Sequence, residues 1–416
     1  MTQDLKKAYH TIVEDHFPST MTITFGSGPQ AQSLHYEKVT WVVEGEQRGL
    51  RYGENPGQEA AFYKLIDGNL KIGDVTTIQP GRYLVSDAEL LQFGKHPGKI
   101  NLTDADNALN ILRYFTDRCA AAIIKHNNPC GVALSDNLLD AYEKADAADR
   151  VAAFGGCIAV TSPIDKATAE AISTRYAEVV AAPDFEEGAL EILGKRKNLR
   201  IMKINRMDRL ASFIGTQFVD YKSLMDGSII AQLSYVPLAR KHEDLSPAMV
   251  EHKGKIYEVL RKPTDAEVRD MLFGWLVESG VTSNSVMYVK DEVTVGIGTG
   301  EQDRVGVAII ARDKAYRKLM DRYSFGLFGK AFHDLKETDA IEEIRKKAED
   351  DHGGLIGSTM VSDAFFPFPD GLEVGLSEGV RSVIQPGGSI NDHLAVEICN
   401  RYGATMVFTG QRSFKH

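Results

Sequence analysis

Short apolar runs alternate with amphipathic helical stretches between Gly94 and residue 204, and this alternation limits the possible folds more than any other feature. The runs lack the polar alternation of a half-exposed strand, which indicates strands covered on both faces. Strands and helices in this order predict an α/β fold with a parallel sheet and right-handed crossovers. The predicted strands cover residues 121–124, 151–160, 179–182 and 200–204, and the predicted helices cover residues 104–116, 137–149, 166–175 and 187–193.

The first of these strands ends in Lys125 and His126, and the turn-forming residues 127–131 follow. Ligands of parallel sheets lie beyond the carboxyl ends of the strands, so both side chains are candidates for a crevice. Neighbouring strand side chains point to opposite faces, and both reach one ligand only if the chain bends here. His126 is then a candidate base and Lys125 a stabiliser of a developing oxyanion. For an isolated Lys-His pair, a solvated strand end is the more common alternative.

Charge and hydropathy exclude two classes of protein. The formal net charge is -10 and the basic residues are scattered, so general nucleic-acid binding is not expected. No apolar run approaches the roughly 20 residues of a membrane-spanning helix, and the start of the chain is too polar for a signal peptide. Cys119, Cys130, Cys157 and Cys399 lack paired spacing, which indicates free thiols in a reducing compartment. We therefore expect a cytoplasmic protein.

Three further loops carry groups that suit a polar or anionic ligand. Arg51 and Tyr52 precede the loop GENPG, which cannot form regular structure and can meet a phosphate. Gly155 interrupts a predicted strand, where a glycine lets a ligand approach the backbone. The amides of residues 388–390, ahead of a predicted helix, suit an anion. The ordinary alternatives are a plain turn, close strand packing and a serine cap.

A predicted hairpin in the second half of the chain has Asn284 before it and Arg304 after it, and the two side chains can converge on one ligand. A surface hairpin with incidental polar residues is the alternative. Upstream, a capping box that starts at Thr264 predicts a helix as far as residue 278. The glycines of GIGTG do not match GxGxxG, and the sequence contains no GxxxxGK[ST]. We therefore expect neither a dinucleotide site nor an ATP P-loop.

The sequence divides into three stretches. Residues 1–45, with a predicted amphipathic helix over residues 4–17, are interpreted as an N-terminal extension. Residues 46–240 carry the alternating strands and helices, and residues 241–416 begin with a polar link before the second set of elements. We therefore expect two subdomains after the extension.

Several motifs in register resemble the transformylase half of the AICAR transformylase/IMP cyclohydrolase family, where AICAR is 5-aminoimidazole-4-carboxamide ribotide. The similarity runs from about Arg51 to His416. It implies two cytidine-deaminase-like, three-layer α/β/α subdomains without zinc. The motifs are RYGENPGQ, IKHNNPCG, DRVAAFGG, VVAAP, SNSVMY, GIGTGEQDRV, SDAFFPFPD, PGGS and the arginine-containing tail.

The resemblance implies formyl transfer from 10-formyltetrahydrofolate to the 5-amino group of AICAR, giving FAICAR in IMP biosynthesis. His126 resembles the family's proton acceptor, and Lys125 and Asn284 resemble the groups that stabilise the transition state. The positions that resemble AICAR ligands are Arg51, Tyr52, Gly155, Glu178, Arg304, Phe365 and Arg412. The positions that resemble folate contacts are Val305, Asp370, Ser389 and Ile390.

The resemblance also implies partners: a homodimer whose active sites are shared between subunits. Only 50 residues precede Arg51, where the family has a cyclohydrolase domain of about 200 residues. From the sequence we expect a stand-alone transformylase that stops at FAICAR and depends on a separate IMP cyclohydrolase. Val281 stands where relatives can have a threonine associated with a monovalent cation, which argues against a potassium site, and residues 94–101 also diverge. No other metal is expected.

Two other functions compete with this one. A zinc hydrolase of the deaminase type is suggested by the Pro-Cys pair at 129–130, but a second cysteine is missing and the HxE at 35–37 lies far upstream. Stoichiometric zinc in the purified protein would support it. The other alternative is a catalytically silent ligand-binding or partner subunit. The presence of Lys125, His126 and Asn284 together argues against that alternative.

Overall fold

The structure, a computed structural model, describes residues 15–76, 81–94 and 96–416 and has mixed α/β content. The helix predicted over residues 4–17 falls outside these ranges except for its last three positions. Across the described ranges, no helix is both long and apolar enough to cross a membrane. The same ranges contain no group of three or more His, Cys, Asp or Glu side chains placed to hold a metal ion.

The strands and helices are as follows, in chain order. The strands are β1 (Thr20–Phe25), β2 (Gln32–Lys38), β3 (Trp41–Val43), β4 (Glu46–Arg48), β5 (Tyr63–Gly68), β6 (Lys71–Ile72), β7 (Val75–Thr76), β8 (Glu89–Gln92), β9 (Cys119–Lys125), β10 (Asn128–Ser135), β11 (Cys157–Val160), β12 (Val179–Ala182), β13 (Arg200–Lys203), β14 (Val219–Ser223), β15 (Ile229–Leu233), β16 (Ser246–Pro247), β17 (Met249–His252), β18 (Lys255–Glu258), β19 (Val286–Lys290), β20 (Val293–Gly298), β21 (Thr359–Ser362), β22 (Ser382–Gln385) and β23 (Thr405–Phe408). The α-helices are α1 (Lys99–Leu112), α2 (Leu138–Ala148), α3 (Arg150–Ala153), α4 (Lys166–Ser173), α5 (Ala189–Gly194), α6 (Asp265–Glu278), α7 (Arg304–Phe328), α8 (Thr338–Asp350), α9 (Asp370–Leu376) and α10 (Asp392–Arg401).

The chain forms two compact units, each built from two stretches of sequence. Unit 1 comprises Met1–Thr116 and Gly155–Val236, and unit 2 comprises Asp117–Phe154 and Pro237–His416. The stretch 117–154 therefore belongs with the later part of the chain. The division predicted from the sequence, at residues 45 and 240, stays a prediction.

Unit 1 contains a sheet in the order β11-β12-β13-β8. The first three strands run parallel, with Cys157 opposite Val179 and Val179 opposite Arg200, and β8 is antiparallel at the edge. Helices α4 and α5 lie in the crossovers between these parallel strands. All residues of β11 and β12 are buried, as their unbroken apolar sequence predicts. The predicted parallel β/α arrangement is confirmed here.

The described part of residues 1–45 contributes strands to a second sheet of unit 1. Strands β1 and β2 pair antiparallel with Thr20 opposite Glu37, and β2 pairs antiparallel with β5, with Lys38 opposite Tyr63. This sheet joins residues on either side of position 45. Pairing with β5 stabilises a stretch that is too short to bury a core of its own.

Unit 2 contains a mixed sheet in the order β16-β23-β22-β21-β19-β20-β10-β9. Strands β21, β22 and β23 run parallel, whereas the hairpin β19-β20 and the pairs β19-β21 and β10-β20 are antiparallel. The predicted hairpin around residues 291–292 is confirmed, and both residues have positive φ values, 54° and 55°. Positive φ at both central residues is the geometry of a two-residue type I′ turn.

Strand β9 ends at Lys125 as predicted, but the expected parallel strand end is wrong. The chain turns back at His126 and Asn127, and β10 pairs antiparallel with β9, with Lys125 opposite Asn128. Residues 128–131 look like a turn in the sequence because they include proline and glycine, yet they belong to a strand. Gly131 is needed there, because a Cβ would lie 2.0 Å from the Ala145 carbonyl oxygen of α2.

The predicted strand over residues 151–160 is also shorter than expected. Residues Arg150–Ala153 form α3, and the strand β11 begins only at Cys157. Asp149 caps α3, since its Oδ1 accepts a hydrogen bond from Ala152 N at 2.9 Å. This carboxylate stabilises a helical turn that the apolar pattern alone does not reveal.

Helix α6 begins at the predicted capping box. Thr264 Oγ1 accepts from Glu267 N at 3.3 Å, and Glu267 Oε2 accepts from Thr264 N at 2.8 Å. The helix packs closely on β21 at Gly274, where a Cβ would lie 2.5 Å from Val361 Cγ2. It ends at Glu278, whose side chain is fully buried. Helix α6 therefore carries a carboxyl group into the core of unit 2.

Candidate active site

Lys125 and His126 lie where β9 turns into β10. Lys125 Nζ donates a hydrogen bond to the Phe154 carbonyl oxygen at 2.7 Å. His126 and Asn127 form the turn with φ values of 53° and 60°, and the His126 side chain is exposed. The predicted bend of the chain is confirmed, and Lys125 and His126 line one cavity. The turn therefore brings together two side chains that a straight strand would direct to opposite faces.

This cavity has a volume of about 250 Å³. Lys314 and Lys318 of α7 line it together with Lys125, and Lys318 Nζ lies 2.5 Å from Asp149 Oδ1. Burial lowers the pKa of Lys314, although the nearby Asp149 opposes that shift. The remaining described lining residues are His126, Asn128, Pro129, Cys130, Ala148, Asp149, Ala152, Thr294, Val295, Gly296, Ile297 and Thr299. Three lysine side chains and one carboxylate, Asp149, thus surround this small space, and Asp149 is paired with Lys318.

The turn is fixed to the segment that precedes β19. Asn128 Oδ1 accepts hydrogen bonds from Thr282 N at 2.8 Å and from Thr299 Oγ1 at 3.1 Å. Lys415 Nζ donates to the carbonyl oxygens of Asn127 at 3.1 Å and Gly280 at 2.9 Å. The tail of the chain therefore helps to hold the turn, which carries His126, against the segment that leads to residue 284.

Arg304, the first residue of α7, is almost fully buried and has several partners. Its Nη2 donates to Asn284 Oδ1 at 3.0 Å, and its Nη1 donates to Ser285 O at 2.9 Å and to Ser362 Oγ at 3.1 Å. Nη1 also forms an ion pair with Asp363. The structure thus brings Asn284 and Arg304 into contact, as the sequence suggested, while their role in binding stays a prediction.

The side-chain amide of Asn284 is held at both ends. Its Oδ1 accepts from Arg304, and its Nδ2 donates to the Gln302 carbonyl oxygen at 3.0 Å. An amide nitrogen carries two hydrogens, so a second N–H remains for a ligand. Asn284 is therefore oriented as a hydrogen-bond donor before any ligand arrives.

A second carboxyl group, Glu278, lies buried beside the Arg304–Asp363 pair. Ser285 Oγ donates to Glu278 Oε1, and Ser285 N donates to Asp363 Oδ2 at 3.1 Å. Burial raises the pKa of Glu278 well above its usual range, and the negative charge of Asp363 adds to the rise. Of these two buried carboxyl groups, Asp363 is the one that forms the ion pair with Arg304.

Phe365 and Arg412 lie beside Asp363. Phe365 follows two residues after it and is 40% exposed. Ser413 N donates to the Asp363 carbonyl oxygen at 2.9 Å, which places the tail next to it. The Arg412 guanidinium lies 4.2 Å from the ring centroid of Phe414. An exposed aromatic ring and an arginine thus adjoin the Asp363 ion pair.

Val305 and Asp370 stand at the starts of two helices that pack together. Val305 is the second residue of α7, and Asp370 is the first residue of α9 and is exposed. A Cβ on Gly371 would lie 3.6 Å from Arg304 Cγ, so the start of α9 contacts the start of α7. These two predicted folate positions therefore lie close to Arg304.

The amides at residues 388–390 do not form the open anion site suggested by the sequence. Gly388 N and Ser389 N donate to Asp392 Oδ2 at 2.7 and 3.0 Å, so a side chain of the protein occupies them. The helix also begins later, at Asp392. Ser389 and Ile390 do line a larger cavity of about 770 Å³, beside His252 and His393, whose rings stack with centroids 3.8 Å apart.

In unit 1, Arg51 and Tyr52 form one hydrogen-bonded group. Arg51 Nη2 donates to Tyr52 Oη at 2.7 Å, and the guanidinium lies 4.4 Å from the Tyr52 ring centroid. Arg51 N donates to Pro97 O at 3.1 Å, and Lys99 N donates to Tyr52 O at 3.2 Å. Burial of Arg51 and these backbone bonds fix the pair at the start of α1.

Gly155 and Glu178 lie on neighbouring segments of unit 1. Gly155 has a φ of 77°, and its N donates to the Tyr176 carbonyl oxygen at 2.8 Å. Glu178 Oε2 accepts from Asn101 Nδ2 at 3.0 Å and lies 3.5 Å from Arg200 Nη1. The positive φ explains why a glycine is suitable at 155.

Several residues of these groups were not predicted from the sequence. Asn101 and Arg200 lie in unit 1, and Lys314 and Asp363 lie in unit 2. Asp363 directly follows β21, and a carboxylate at a strand end is a signal that sequence reasoning can use. Asn101 and Arg200 occur inside a predicted loop and a predicted strand, and their partners become evident only in three dimensions.

A family model described as AICARFT/IMPCHase bienzyme matches residues 5–314 of the chain. Three relatives named bifunctional purine biosynthesis protein PurH are also similar. The protein of Magnetococcus marinus is 35% identical over 392 residues, 94% of this chain and 62% of the relative. The protein of Oceanobacillus iheyensis is 32% identical over 410 residues, which cover 98% of this chain and 65% of the relative. The protein of Thermoanaerobacter sp. is 34% identical over 408 residues, which cover 98% of this chain and 64% of the relative. The chain thus spans slightly less than two thirds of these relatives.

Proposed function

Since the chain belongs to the AICARFT/IMPCHase bienzyme family, we propose that it transfers the formyl group of 10-formyltetrahydrofolate to the 5-amino group of AICAR, giving FAICAR. The observation that carries this proposal is the β9–β10 turn, on which Lys125 and His126 line one cavity. A base next to an ammonium group is what acyl transfer to a weak amine requires.

The 5-amino group of AICAR is conjugated with the carboxamide and is a poor nucleophile. We assign His126 as the base that takes the amine proton while the nitrogen attacks the formyl carbon. Lys125 and the second N–H of Asn284 stabilise the tetrahedral oxygen. The bond between the formyl carbon and N10 then breaks, and N10 takes up a proton, so that FAICAR and tetrahydrofolate leave.

The other predicted residues bind the two substrates in this proposal. Arg51, Arg304 and Arg412 are cations that suit the phosphate of AICAR. The remaining AICAR ligands of the proposal are Tyr52, Gly155, Glu178 and Phe365. Asp370 accepts hydrogen bonds from the pterin edge, while Val305, Ser389 and Ile390 contact the folate. A monovalent cation is not required by any of these steps.

The direct test is an assay of formyl transfer by the purified chain. The absorbance change on tetrahydrofolate formation and chromatography of FAICAR both measure the product. Turnover that depends on both substrates supports the proposal. Tight AICAR binding without turnover would instead indicate a silent ligand-binding subunit. Stoichiometric zinc together with hydrolysis of a nucleoside amine would support the deaminase-type alternative.

The finer part of the proposal is that these 416 residues do not close the ring. We predict that FAICAR accumulates to a modest plateau, because transfer of formyl to so weak an amine is not strongly downhill. Adding a separate IMP cyclohydrolase should raise total formyl transfer by removing FAICAR. Chromatography of the reaction mixture checks both points. IMP formation by the chain alone at a comparable rate would contradict this part and leave formyl transfer intact.

We also propose a homodimer with active sites shared between subunits. If the Lys125 and Asn284 of one active site come from different subunits, Lys125→Met and Asn284→Ala variants, each inactive alone, should regain about a quarter of the activity after mixing, because half of the random dimers then hold one intact site. Steady-state rates before and after subunit exchange measure this, and a mixture of each variant with itself is the control. An active monomer in sedimentation would contradict the proposal.

A further inference from the structure

We infer that Arg200 is a positioning residue of the ribotide site: it fixes Glu178 so that one carboxylate oxygen stays available to a ligand. The inference rests on the proposed function, which makes Glu178 an AICAR ligand. Arg200 is the first residue of β13 and is only 2% exposed, so it cannot itself reach a ligand from solvent. Its effect on binding therefore has to pass through a residue that it contacts, and Glu178 is the assigned ligand among these.

The two contacts of Glu178 use the same oxygen. Asn101 Nδ2 donates to Oε2 at 3.0 Å, and Arg200 Nη1 lies 3.5 Å from Oε2. Within the described residues, no hydrogen bond or ion pair reaches Glu178 through Oε1. The Glu178 side chain is 40% exposed, so a ligand can still reach it. A hydrogen bond and an ion pair on one oxygen orient the carboxylate and leave the other oxygen as an acceptor.

Arg200 also connects Glu178 to the loop that precedes helix α1. Its Nη2 lies 3.5 Å from the His96 carbonyl oxygen, and the backbone of the next residue, Pro97, accepts from Arg51 N at 3.1 Å. Asn101 is likewise fixed, because its Oδ1 accepts from Gly98 N at 3.1 Å. One short segment, residues 96–101, therefore links both assigned AICAR ligands to Arg200.

This arrangement requires the fork of a guanidinium. One terminal nitrogen of Arg200 is directed to Glu178 and the other to a backbone carbonyl, and a lysine ammonium offers only a single centre at the end of a flexible stem. Burial lowers the pKa of Arg200, while Glu178 opposes that shift. The matching ligand group is a neutral hydrogen-bond donor of the ribotide, either a ribose hydroxyl or the carboxamide N–H.

The test compares AICAR binding and turnover in Arg200→Met and Arg200→Lys. We expect the Kd of AICAR to rise about 10- to 100-fold in Arg200→Met, the effect of one charged hydrogen bond, with kcat changed by less than about threefold. Arg200→Lys should recover only part of the affinity. Arg196→Met is the matched control, because Arg196 donates to the Ser173 carbonyl oxygen of the same unit, and it should leave the Kd unchanged.

A double-mutant cycle distinguishes a role of Arg200 through Glu178 from a merely structural role of Arg200. If Arg200 acts through Glu178, Arg200→Met should add little to the Kd of Glu178→Gln. Additive effects would overturn the inference. Should Arg200→Met fail to fold, Asn101→Asp takes its place. This variant keeps the acceptor for Gly98 N, but its carboxylate repels Glu178. A normal Kd of AICAR in Asn101→Asp would also overturn the inference.

Two ribotide analogues identify the donor. The effect of Glu178→Gln on the Kd should disappear for one of two analogues. Its loss for a 2′-deoxyribotide identifies the ribose hydroxyl as the donor, and its loss for a ribotide without the carboxamide identifies the carboxamide N–H. An equal effect for both analogues would overturn the inference. If the unaltered chain formylates AICAR but Arg200→Met binds it normally, only this inference fails. If the unaltered chain neither binds nor formylates AICAR, the proposed function itself fails.

Discussion

Replacing His126 with alanine should lower kcat about 10²- to 10⁴-fold, the usual effect of losing one general base. The Kd of AICAR should stay nearly unchanged, because the imidazole is assigned to the transition state and its side chain is exposed in the free protein. Steady-state rates and calorimetry together measure both quantities. Near-normal turnover would remove His126 from the mechanism.

The turn itself requires a second variant. His126 has a φ of 53°, a conformation that alanine adopts with strain and asparagine adopts readily. His126→Asn therefore keeps the turn without supplying a base, and we expect the same loss of kcat. Recovery of turnover in His126→Asn alone would mean that the backbone, not the imidazole, mattered. His333→Ala is a matched control, because His333 is exposed and pairs with a neighbouring carboxylate, Asp334, at 3.6 Å.

Replacing Arg304 with methionine should lower the free energy of unfolding by about 3–5 kcal/mol, because it leaves the Asp363 carboxylate buried without its cation. The Arg304 and Asp363 side chains are 7% and 0% exposed, so water cannot replace the lost partner. Urea unfolding followed by circular dichroism measures the loss. AICAR binding should weaken as well, since Arg304 also holds Asn284 at 3.0 Å.

Two further variants separate the ion pair from general damage to α7. Arg304→Met combined with Asp363→Asn should be more stable than Arg304→Met alone, because the unpaired charge is gone. Arg312→Met changes the same helix where an arginine pairs with Asp313 at the surface, and it should change stability by less than about 0.5 kcal/mol. If Arg312→Met also lowered the free energy of unfolding strongly, the loss in Arg304→Met would reflect general damage to α7 and not the broken ion pair.

The sequence predicted those parts of the fold that depend on local pattern. The strand at residues 179–182 has the predicted bounds, because its unbroken apolar run can only be a buried strand of that length. Helix α6 also starts and ends where its capping box and apolar spacing indicate. At the candidate site, a turn was predicted after Lys125, but His126 and Asn127 alone form it, and the other predicted turn residues belong to β10.

The rest depended on partners far away in the sequence. Residues 128–135 form a strand because β20 and β9 lie on either side of it, although Pro129 and Gly131 suggest a turn. The amides of Gly388 and Ser389 suit an anion in sequence terms, but the nearby Asp392 already binds them. Arg200 resembles any residue at a strand start, and its contact with Glu178 arises only when β12 and β13 pair side by side.

The pairing of β10 with β20 also sets an order for synthesis of the chain. Ala133 lies opposite Val293, which the ribosome adds 160 positions later (293 minus 133). At about 5–20 residues per second, the β9–β10 hairpin waits roughly 10 to 30 s before that neighbour exists. During this interval β10 presents an apolar, unpaired edge, the kind of surface that attracts other unfinished chains. We therefore expect the nascent chain to be more prone to aggregation during this interval than after residue 293 has been added.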